Sequence, residues 1–250
     1  MNSPAETYCL LQETLGAEIP ISALEEAADA TQTMSRLDCL GIHRNVCGVV
    51  IAGLSHGDAL AFQGVLAAHG HPTRLCADDD FPLLHESFQV QRLDRQADTL
   101  VLTSSTGRVI ERQLNDLVFL AAGFYQRVAV IQTFDRRIEW SAVGEPRVVE
   151  KRQYGEKQET DFRMDLFFAR DPHRLNLGLT KDSAVFFHGR PFRLRDRPGL
   201  TDVMREVAAW LPQERVNLQL RDPARSMVYQ GLHGYESEIR WHFQRFSSMA

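Results

Sequence analysis

The sequence predicts an α+β protein in two parts: an N-terminal strand–helix–helix–strand–helix–strand unit, then an antiparallel β-barrel-like domain with a C-terminal amphipathic helix. Three observations support this class. Segments with strand and helix spacing alternate up to residue 80, and short apolar segments dominate after residue 98. The net charge of the chain also changes near residue 98, from strongly negative before it to positive after it. Residues 1–98 hold five basic and fourteen acidic residues, a balance of −9 in a chain whose total is −5.

The N-terminal unit, predicted to span residues 1–80, opens with a strand and two helices. Residues 7–11 are apolar enough to form a buried strand. Ser22 and Glu25 have the spacing of a capping box, in which the serine oxygen accepts from first-turn amides and the glutamate reaches back. A helix is therefore predicted to begin at Ser22, and Ser35 is predicted to cap a second helix.

The stretch from Gly48 to Ala77 is predicted to form a strand, a helix and a second strand. Residues 49–51 are a continuous apolar run, which is typical of a strand covered on both faces. Ser55 is predicted to cap the helix, and Gly70 to end it in the left-handed backbone conformation. The crossover to a final parallel strand should be right-handed.

These motifs resemble the C-terminal domain of the bacterial ribosomal stalk protein, which belongs to the ClpS-like group of folds. The matching residues are 37–40, 49–55 and 59–70, and the resemblance covers roughly residues 7–77. In that family a strand ends in Gly-hydrophobic-Ser, and the serine caps an alanine-rich helix. The resemblance implies a ClpS-like fold. It does not imply translation-factor binding, because residues 30–34 lack the glycines and lysine that the family uses.

The rest of the chain is expected to be a linker at residues 81–98 and a β-rich domain at residues 99–250. Residues 141–160 are polar and are expected to be a mobile insertion or a long solvent-exposed hairpin. Residues 200–211 are predicted to form an amphipathic helix, and residues 235–246 can form one more. This order of elements resembles the pleckstrin-homology-like (PH-like) barrel. Strands are predicted at 99–103, 108–113, 117–122, 162–169, 174–179 and 184–187.

Residues 53–57 read Gly-Leu-Ser-His-Gly and so match the Gly-x-Ser-x-Gly pattern of a nucleophile elbow, but Ser55 is predicted to cap a helix instead. The sequence has no glycine-rich phosphate loop. A zinc site built from Cys76, His69 and His71 lacks the usual paired ligands. No catalytic residue, metal or cofactor is therefore predicted. The cysteines have no CxxC spacing and are expected to be reduced core residues: Cys9, Cys39, Cys47 and Cys76.

The sharpest electrostatic feature is a group of arginines at residues 190–197. In an extended segment, alternate side chains project from one face, where they can bind phosphate, an anionic lipid head group or an acidic protein surface. Alternatively, these arginines pair with Asp196, Asp202 or the acidic N-terminal unit. The candidate contact residues are Arg190, Arg193, Arg195 and Arg197.

The C-terminal helix carries a second candidate surface, made of aromatic residues. These residues either pack back on the second domain or dock on a partner. They are Tyr235, Trp241, Phe243 and Phe246.

The expected function is that of a non-catalytic, cytoplasmic, two-module protein that contacts an unknown protein partner. The alternative is an anion-binding module, for a lipid head group or nucleic acid, that uses the arginines at 190–197. A second alternative is an enzyme with an unrecognised site near His69, His71 and residues 78–80.

Several classes of function are not expected from the sequence. Residues 1–98 are too acidic to attract nucleic acid. No apolar run is long enough for a membrane span, and no secretory signal pattern opens the sequence. No small-molecule ligand is indicated, and the sequence leaves open the process, the partner and the oligomeric state.

Overall fold

The computed structural model describes residues 6–84, 86–140, 146–169, 171, 173–180, 182–224 and 227–247. Within these residues the chain is α+β, as predicted, with two β-sheets and six α-helices. One sheet is formed by residues 8–77 and the other by residues 87–191. They define a first and a second unit.

The first unit contains its elements in the predicted order. Its N-terminal strand lies at the centre of a three-stranded sheet and pairs antiparallel with both neighbours. The two outer strands are therefore parallel to each other, and the crossover between them passes the central strand. The elements are β1 (Tyr8–Gln12), α1 (Ile21–Thr31), α2 (Arg36–Asn45), β2 (Val49–Leu54), α3 (His56–Ala68) and β3 (Thr73–Ala77).

Serine caps begin α2 and α3 as predicted, but not α1. The Ser35 hydroxyl accepts from Asp38 N at 3.4 Å, and the Asp38 carboxylate accepts from Ser35 N at 2.8 Å. Ser55 likewise accepts from a first-turn amide of α3. The prediction for Ser22 was wrong, because α1 begins one residue earlier, directly after Pro20 and without a side-chain cap. Proline suits a helix start because its φ is already helical.

The second unit is built on an eight-stranded sheet that contains each of the six strands predicted after residue 98. Two strands are much longer than expected because they continue beyond the sheet as a two-stranded ribbon. The strands are β4 (Ser87–Gln96), β5 (Thr99–Ser104), β6 (Val109–Gln113), β7 (Leu117–Trp140), β8 (Pro146–Phe168), β9 (Arg174–Gly178), β10 (Ala184–Phe187) and β11 (Arg190–Pro191). The helices are α4 (Arg197–Ala208), α5 (Leu218–Arg221) and α6 (Leu232–Ser247).

Residues 81–98 are not a linker, because they contain β4, a central strand of the second sheet. β4 pairs antiparallel with β5 on one edge and parallel with β9 and β10 on the other. Val90 and Leu93 are both buried, but a bulge between Val90 and Arg92 places them three residues apart. This spacing breaks the period of two that identifies a strand in a sequence.

The second sheet is open and mixed, which corrects the expectation of an antiparallel barrel. Within the described residues, β6 at one edge does not pair with β7 at the other, so no barrel closes. Helices cover the apolar face instead. Leu200, Val203 and Met204 of α4 are buried in one core with sheet residues. A sheet covered in this way buries its apolar face without closing on itself.

Helix α6 connects the two units, although it follows β1 by more than two hundred residues. Trp241 is buried and donates its Nε1 hydrogen to Gln12 O at 2.6 Å. Cys9 and Leu11 of β1 pack with Trp241, whereas Leu10 packs with the helices of the first unit. β1 is therefore covered on both faces, which explains its uninterrupted apolar sequence.

Candidate interaction site

The two longest strands of the described chain, β7 and β8, form a two-stranded ribbon. The two strands pair from Leu117–Phe168 at the sheet to Trp140–Pro146. We call residues 117–126 and 160–168 the inner half, and residues 127–140 and 146–159 the outer half. The outer half contains fourteen residue pairs, a length of roughly 45 Å at the usual rise per residue.

The two halves differ in what else they pair with. In the inner half, β8 pairs with β9 over residues 163–166, and β7 bridges to Val216 and Tyr229. In the outer half, neither strand has a third strand beside it among the described residues. The outer half is therefore a bare two-stranded ribbon.

One face of the ribbon carries apolar side chains in both halves. Phe124 and Phe162 lie opposite each other on this face in the inner half and are buried, with ring centroids 5.4 Å apart. Further along the same face, the register places Val128, Val130 and Tyr154, which are 57, 70 and 68 % exposed. There they lie beside polar residues, because Val128 pairs with Gln158 and Val130 with Glu156.

The opposite face of the outer half carries ion pairs next to the sheet. Arg127 lies 3.3 Å from Glu159 and 3.7 Å from Asp161, and Lys157 lies 3.4 Å from Glu159. Residues 127–159 contain seven basic and six acidic residues, a balance of +1. The outer half is thus nearly neutral in charge.

The outer half was missed in the sequence, although a signal for it exists. Residues 128–131 are apolar in succession, which hides the alternation of a one-sided strand. The polar residues 141–160 were treated as an insertion, and for residues 146–160 the structure shows the hairpin alternative. The signal is the lack of Gly, Pro and Asn between residues 124 and 143, which allows one long strand.

The four arginines predicted to form one strip do not share one surface. Arg193 and Arg195 are exposed and line a groove of about 740 Å³ beside β10. Arg190 lies in β11, and Arg197 is the first residue of α4, with its guanidinium over the Phe124 ring at 4.7 Å. The extended segment that would align all of them ends where α4 begins.

The predicted pairing of the strip with nearby acids is found in part. Arg193 Nη1 lies 3.9 Å from Asp196 Oδ2, and the arginine side chain is 85 % exposed. Asp202 pairs instead with Arg205, at 2.8 Å. Within the part of the chain that the structure describes, no ion pair joins the strip to the acidic first unit. An ion pair as exposed as that of Arg193 leaves its guanidinium largely solvated.

The aromatic residues of α6 pack back onto the second unit, which is the first of the two alternatives for this helix. Tyr235 is fully buried and donates its hydroxyl to a backbone carbonyl of β7 at 3.1 Å. The rings of Phe243 and Phe246 lie 5.4 and 6.1 Å from that of Phe119. Trp241 packs between the units, and Phe243 and Phe246 are half-buried against the second unit.

A buried carboxylate on α6 joins distant parts of the chain. Glu238 accepts hydrogen bonds from Leu218 N at 2.5 Å, from the Cys47 thiol at 3.3 Å and from the Tyr229 hydroxyl. His242 Nε2 lies 3.6 Å from the same carboxylate. Burial raises the pKa of Cys47 and Tyr229 and lowers the pKa of His242. The thiol and the phenol therefore remain protonated donors, and the cluster has a structural role.

The four cysteines are buried and free, as predicted. Cys9 and Cys76 lie directly opposite each other in β1 and β3, a pairing that the sequence does not reveal. Burial raises the pKa of both thiols, which keeps them protonated and weakly nucleophilic.

The residues of the enzyme hypothesis are engaged in local contacts. His69 Nε2 lies 2.8 Å from Glu26 Oε2, and His71 lies in the loop before β3. Residues 78–80 form a turn of 3₁₀-helix, where Asp78 accepts from a β2 amide at 3.1 Å. Across the described ranges, no three His, Cys, Asp or Glu side chains are grouped so that they could hold a metal ion.

The chain matches no protein-family model, no curated protein sequence and no solved structure. None of the helices in the described part of the chain has both the length and the hydropathy that a membrane span requires.

Proposed function

We propose that the protein is a non-catalytic binding protein that acts through protein–protein contacts, with the outer half of the ribbon as its contact element. The observation that carries this proposal is the exposure of three apolar side chains on one face of the outer half, those of Val128, Val130 and Tyr154. Exposed apolar residues that cluster on one surface are typical of an interaction site, whereas scattered ones are ordinary.

The energetics of a bare ribbon support the same function. A two-stranded hairpin is marginally stable in water and needs further strands or a packed face to become stable. The inner half has both, because it lies in the sheet and packs in the core. The outer half has neither within the described chain, so a partner that covers Val128, Val130 and Tyr154 would supply the missing stabilisation.

The chemistry of the buried groups also favours binding over catalysis. Nucleophilic catalysis needs a nucleophile with a base in reach and access for substrate. Cys47 is buried, keeps its proton and donates to Glu238, which is itself saturated with hydrogen bonds.

A protein-capture experiment with two matched variants tests the proposal. The ribbon variant replaces Val128, Val130 and Tyr154 by Thr, which keeps strand propensity but removes apolar area. The control variant replaces Leu37, Leu60 and Leu83 by Gln, three apolar residues that are 78, 47 and 84 % exposed elsewhere.

Contacts are recorded by cross-linking and mass spectrometry, and copies of the chain itself count as partners. We expect the unmodified chain and the control variant to share the same cross-linked partners, and the ribbon variant to lose them. A ribbon variant that keeps the full set of partners would contradict the proposal.

Anion binding is a second candidate function, favoured by the groove beside β10. Arg193 and Arg195 line this groove, and their exposed guanidinium groups are its donors. The neighbouring hydroxyls of Thr180 and Ser183 bond to each other, and Ser183 donates to Gly178 O. Guanidinium groups suit phosphate or a phosphorylated lipid head group.

Its test is a binding titration with inorganic phosphate and with vesicles that contain an anionic phospholipid. Binding should weaken as salt is raised and should be lost when Arg193 and Arg195 are replaced by Ala. Replacement of the exposed Arg215 is the control. Binding that survives the double replacement would exclude this groove as the site.

We also propose a fold for each of the two units and a cellular location. The ClpS-like arrangement is supported for the first unit by its element order and its β2–β1–β3 sheet. The PH-like arrangement has weaker support, namely strands followed by a packed amphipathic α4. A cytoplasmic location is consistent with four free cysteines.

A further inference from the structure

We propose that Cys9 and Cys76 form a redox-active pair, a modification site at which a peroxide oxidises the two thiols to a reversible cross-strand disulfide. The two residues lie directly opposite each other in the antiparallel strands β1 and β3. Both are free cysteines in the structure, so the reduced form is the one described above. This inference concerns the first unit and does not depend on the ribbon.

The strand register places the two cysteines at a separation that suits a disulfide. Asp78 N donates to Thr7 O at 2.8 Å, and Cys9 and Cys76 each lie two residues away in the same register. Because hydrogen-bonded positions recur at every second residue, Cys9 and Cys76 also occupy such a position, where opposite Cα atoms are about 5.5 Å apart. This separation is close to the most common one in disulfides.

The two side chains also share one face of the sheet, the face that α6 covers. Cys9 and Cys76 are 0 and 7 % exposed, and they belong to one core cluster with Phe81 and Trp241. Burial raises the pKa of Cys9, and the neighbouring Cys76 thiol raises it further. The two thiols are therefore close enough to influence each other's ionisation.

Cys76 is the thiol that a small oxidant reaches first. It lies in β3, at the end of the three-stranded sheet, and its sulfur accepts from Gln244 Nε2 at 3.2 Å. Gln244 also lines a cavity of about 410 Å³, which is large enough for hydrogen peroxide. Burial raises the pKa of Cys76, whereas the neighbouring Cys9 thiol lowers it. Cys76 therefore ionises more readily than Cys9 and is the attacking thiolate.

The oxidation takes place in two steps. The Cys76 thiolate attacks one oxygen of hydrogen peroxide, the O–O bond breaks, and the products are a sulfenic acid on Cys76 and, with the proton that the thiol released, one water. The Cys9 sulfur then attacks the Cys76 sulfur, the S–O bond breaks, and the hydroxide leaves with the Cys9 proton as a second water. The two thiols lose two electrons in total, which reduce the peroxide.

The same geometry makes the disulfide easy to reduce. Opposite Cβ atoms in an antiparallel pair are roughly 4.5–5.5 Å apart, and the longer separations belong to hydrogen-bonded positions, whereas a disulfide has its Cβ atoms about 3.8 Å apart. The two strands must therefore move together before the bond closes, which strains it. Because strained disulfides are the more readily reduced ones, we expect reduced glutathione to reopen this bond.

Thiol mapping of the full chain tests the inference. The reduced, folded protein is treated with about 1 mM hydrogen peroxide, unfolded in the presence of N-ethylmaleimide, digested and analysed by mass spectrometry. We expect a peptide pair linked through Cys9 and Cys76, and we expect reduced glutathione to restore all four thiols. Cys39 lies in α2 and Cys47 bridges to Val49, so these two buried cysteines are internal controls that should stay labelled.

Two variants show whether the cysteines act as a pair. In Cys9→Ala, Cys76 has no thiol opposite it, so peroxide should leave a sulfenic acid that dimedone traps. Cys39→Ala is the matched control, because it removes another fully buried cysteine and should form the disulfide like the unmodified chain. Circular dichroism verifies that both variants are folded, and the map of the unmodified chain decides the question if either is not.

Three outcomes would overturn the inference. The first is a chain in which peroxide leaves Cys9 and Cys76 unlinked, whether as thiols or as separately oxidised residues. The second is a link that forms only after the chain has been unfolded in urea, because it would not depend on the strand register. The third is a disulfide that an excess of reduced glutathione does not reopen, since such a bond would be structural and not reversible.

Discussion

The inner and outer halves of the ribbon share the same two strands and one continuous backbone pairing. They differ in whether a third strand pairs with them and in whether their side chains are buried. The inner half is part of the sheet, and its apolar face is buried in the main core. The outer half exposes the same face, with Val130 70 % and Tyr154 68 % accessible. Backbone pairing alone therefore does not explain why the ribbon extends so far.

This difference separates residues that stabilise the fold from residues available for contact. Burial of an aromatic side chain stabilises a protein by a few kcal/mol, whereas an exposed side chain contributes little to the folded monomer. Equivalent substitutions in the inner and outer halves should therefore affect different properties of the protein. The inner substitutions should lower stability, and the outer ones should change only association.

The largest difference is expected between Phe162→Ala and Tyr154→Ala. Phe162 is 2 % exposed and contacts Phe124 edge-on, so its truncation should lower the free energy of unfolding by about 3–5 kcal/mol. Tyr154→Ala should change it by less than about 0.5 kcal/mol, because this ring is exposed. Urea unfolding of both variants beside the unmodified chain measures both values. Similar losses for the two variants would mean that the outer half is packed like the inner half.

A smaller difference is expected between two glycines of the ribbon. A Cβ on Gly123 would lie 2.7 Å from Gln219, whose amide is held by hydrogen bonds to Phe124 N at 2.8 Å and Phe124 O at 3.1 Å. Gly123→Ala should therefore cost about 1–3 kcal/mol of stability. A Cβ on Gly155 in the outer half would meet no atom within 4 Å.

The matched variant Gly155→Ala should leave the free energy of unfolding unchanged or raise it by up to about 1 kcal/mol, because alanine suits a strand better than glycine. Thermal unfolding of the two variants side by side gives the comparison. A loss with Gly155→Ala as large as with Gly123→Ala would show that the outer half is closely covered.

The smallest effect is expected from pH and concerns only the inner half, where His242 lies 4.9 Å from the Phe119 ring of β7. Burial lowers the pKa of His242, and this outweighs Glu238, which favours the charged form; Arg221 and Arg245 lower it further. The unfolded chain therefore binds this proton at higher pH than the folded chain. The stabilisation is fully present above about pH 6.5 and is lost as pH falls below it, by at most about 1.4 kcal/mol per pH unit.

The measurement is the urea midpoint at pH 7.5 and pH 5.5 for the unmodified chain and for His242→Gln. The substitution should reduce the pH dependence of the midpoint, and Gly155→Ala should leave it unchanged. An identical pH dependence in the unmodified chain and His242→Gln would show that His242 is not held neutral by burial.

Much of the fold was predictable because its signals are local. Caps such as Ser35 and Ser55 bond to amides three residues away, and β9 and β10 are short apolar segments bounded by turns. β4 was missed because its bulge changes the spacing of its buried residues. The candidate site was predicted least well, since Val128 and Val130 have the same composition as a buried strand.

By itself, the sequence determined the α+β class, the order of the elements in the first unit and the reduced state of the cysteines. These properties follow from spacing, capping and composition, which act over a few residues. Only the tertiary structure decided that the second sheet stays open, that α6 packs between the units, and that the apolar side chains on one face of the ribbon are buried in the inner half and exposed in the outer half. Those outcomes depend on which distant segments pack against the same apolar surface. The sequence of a single strand does not specify which segment will pack against it.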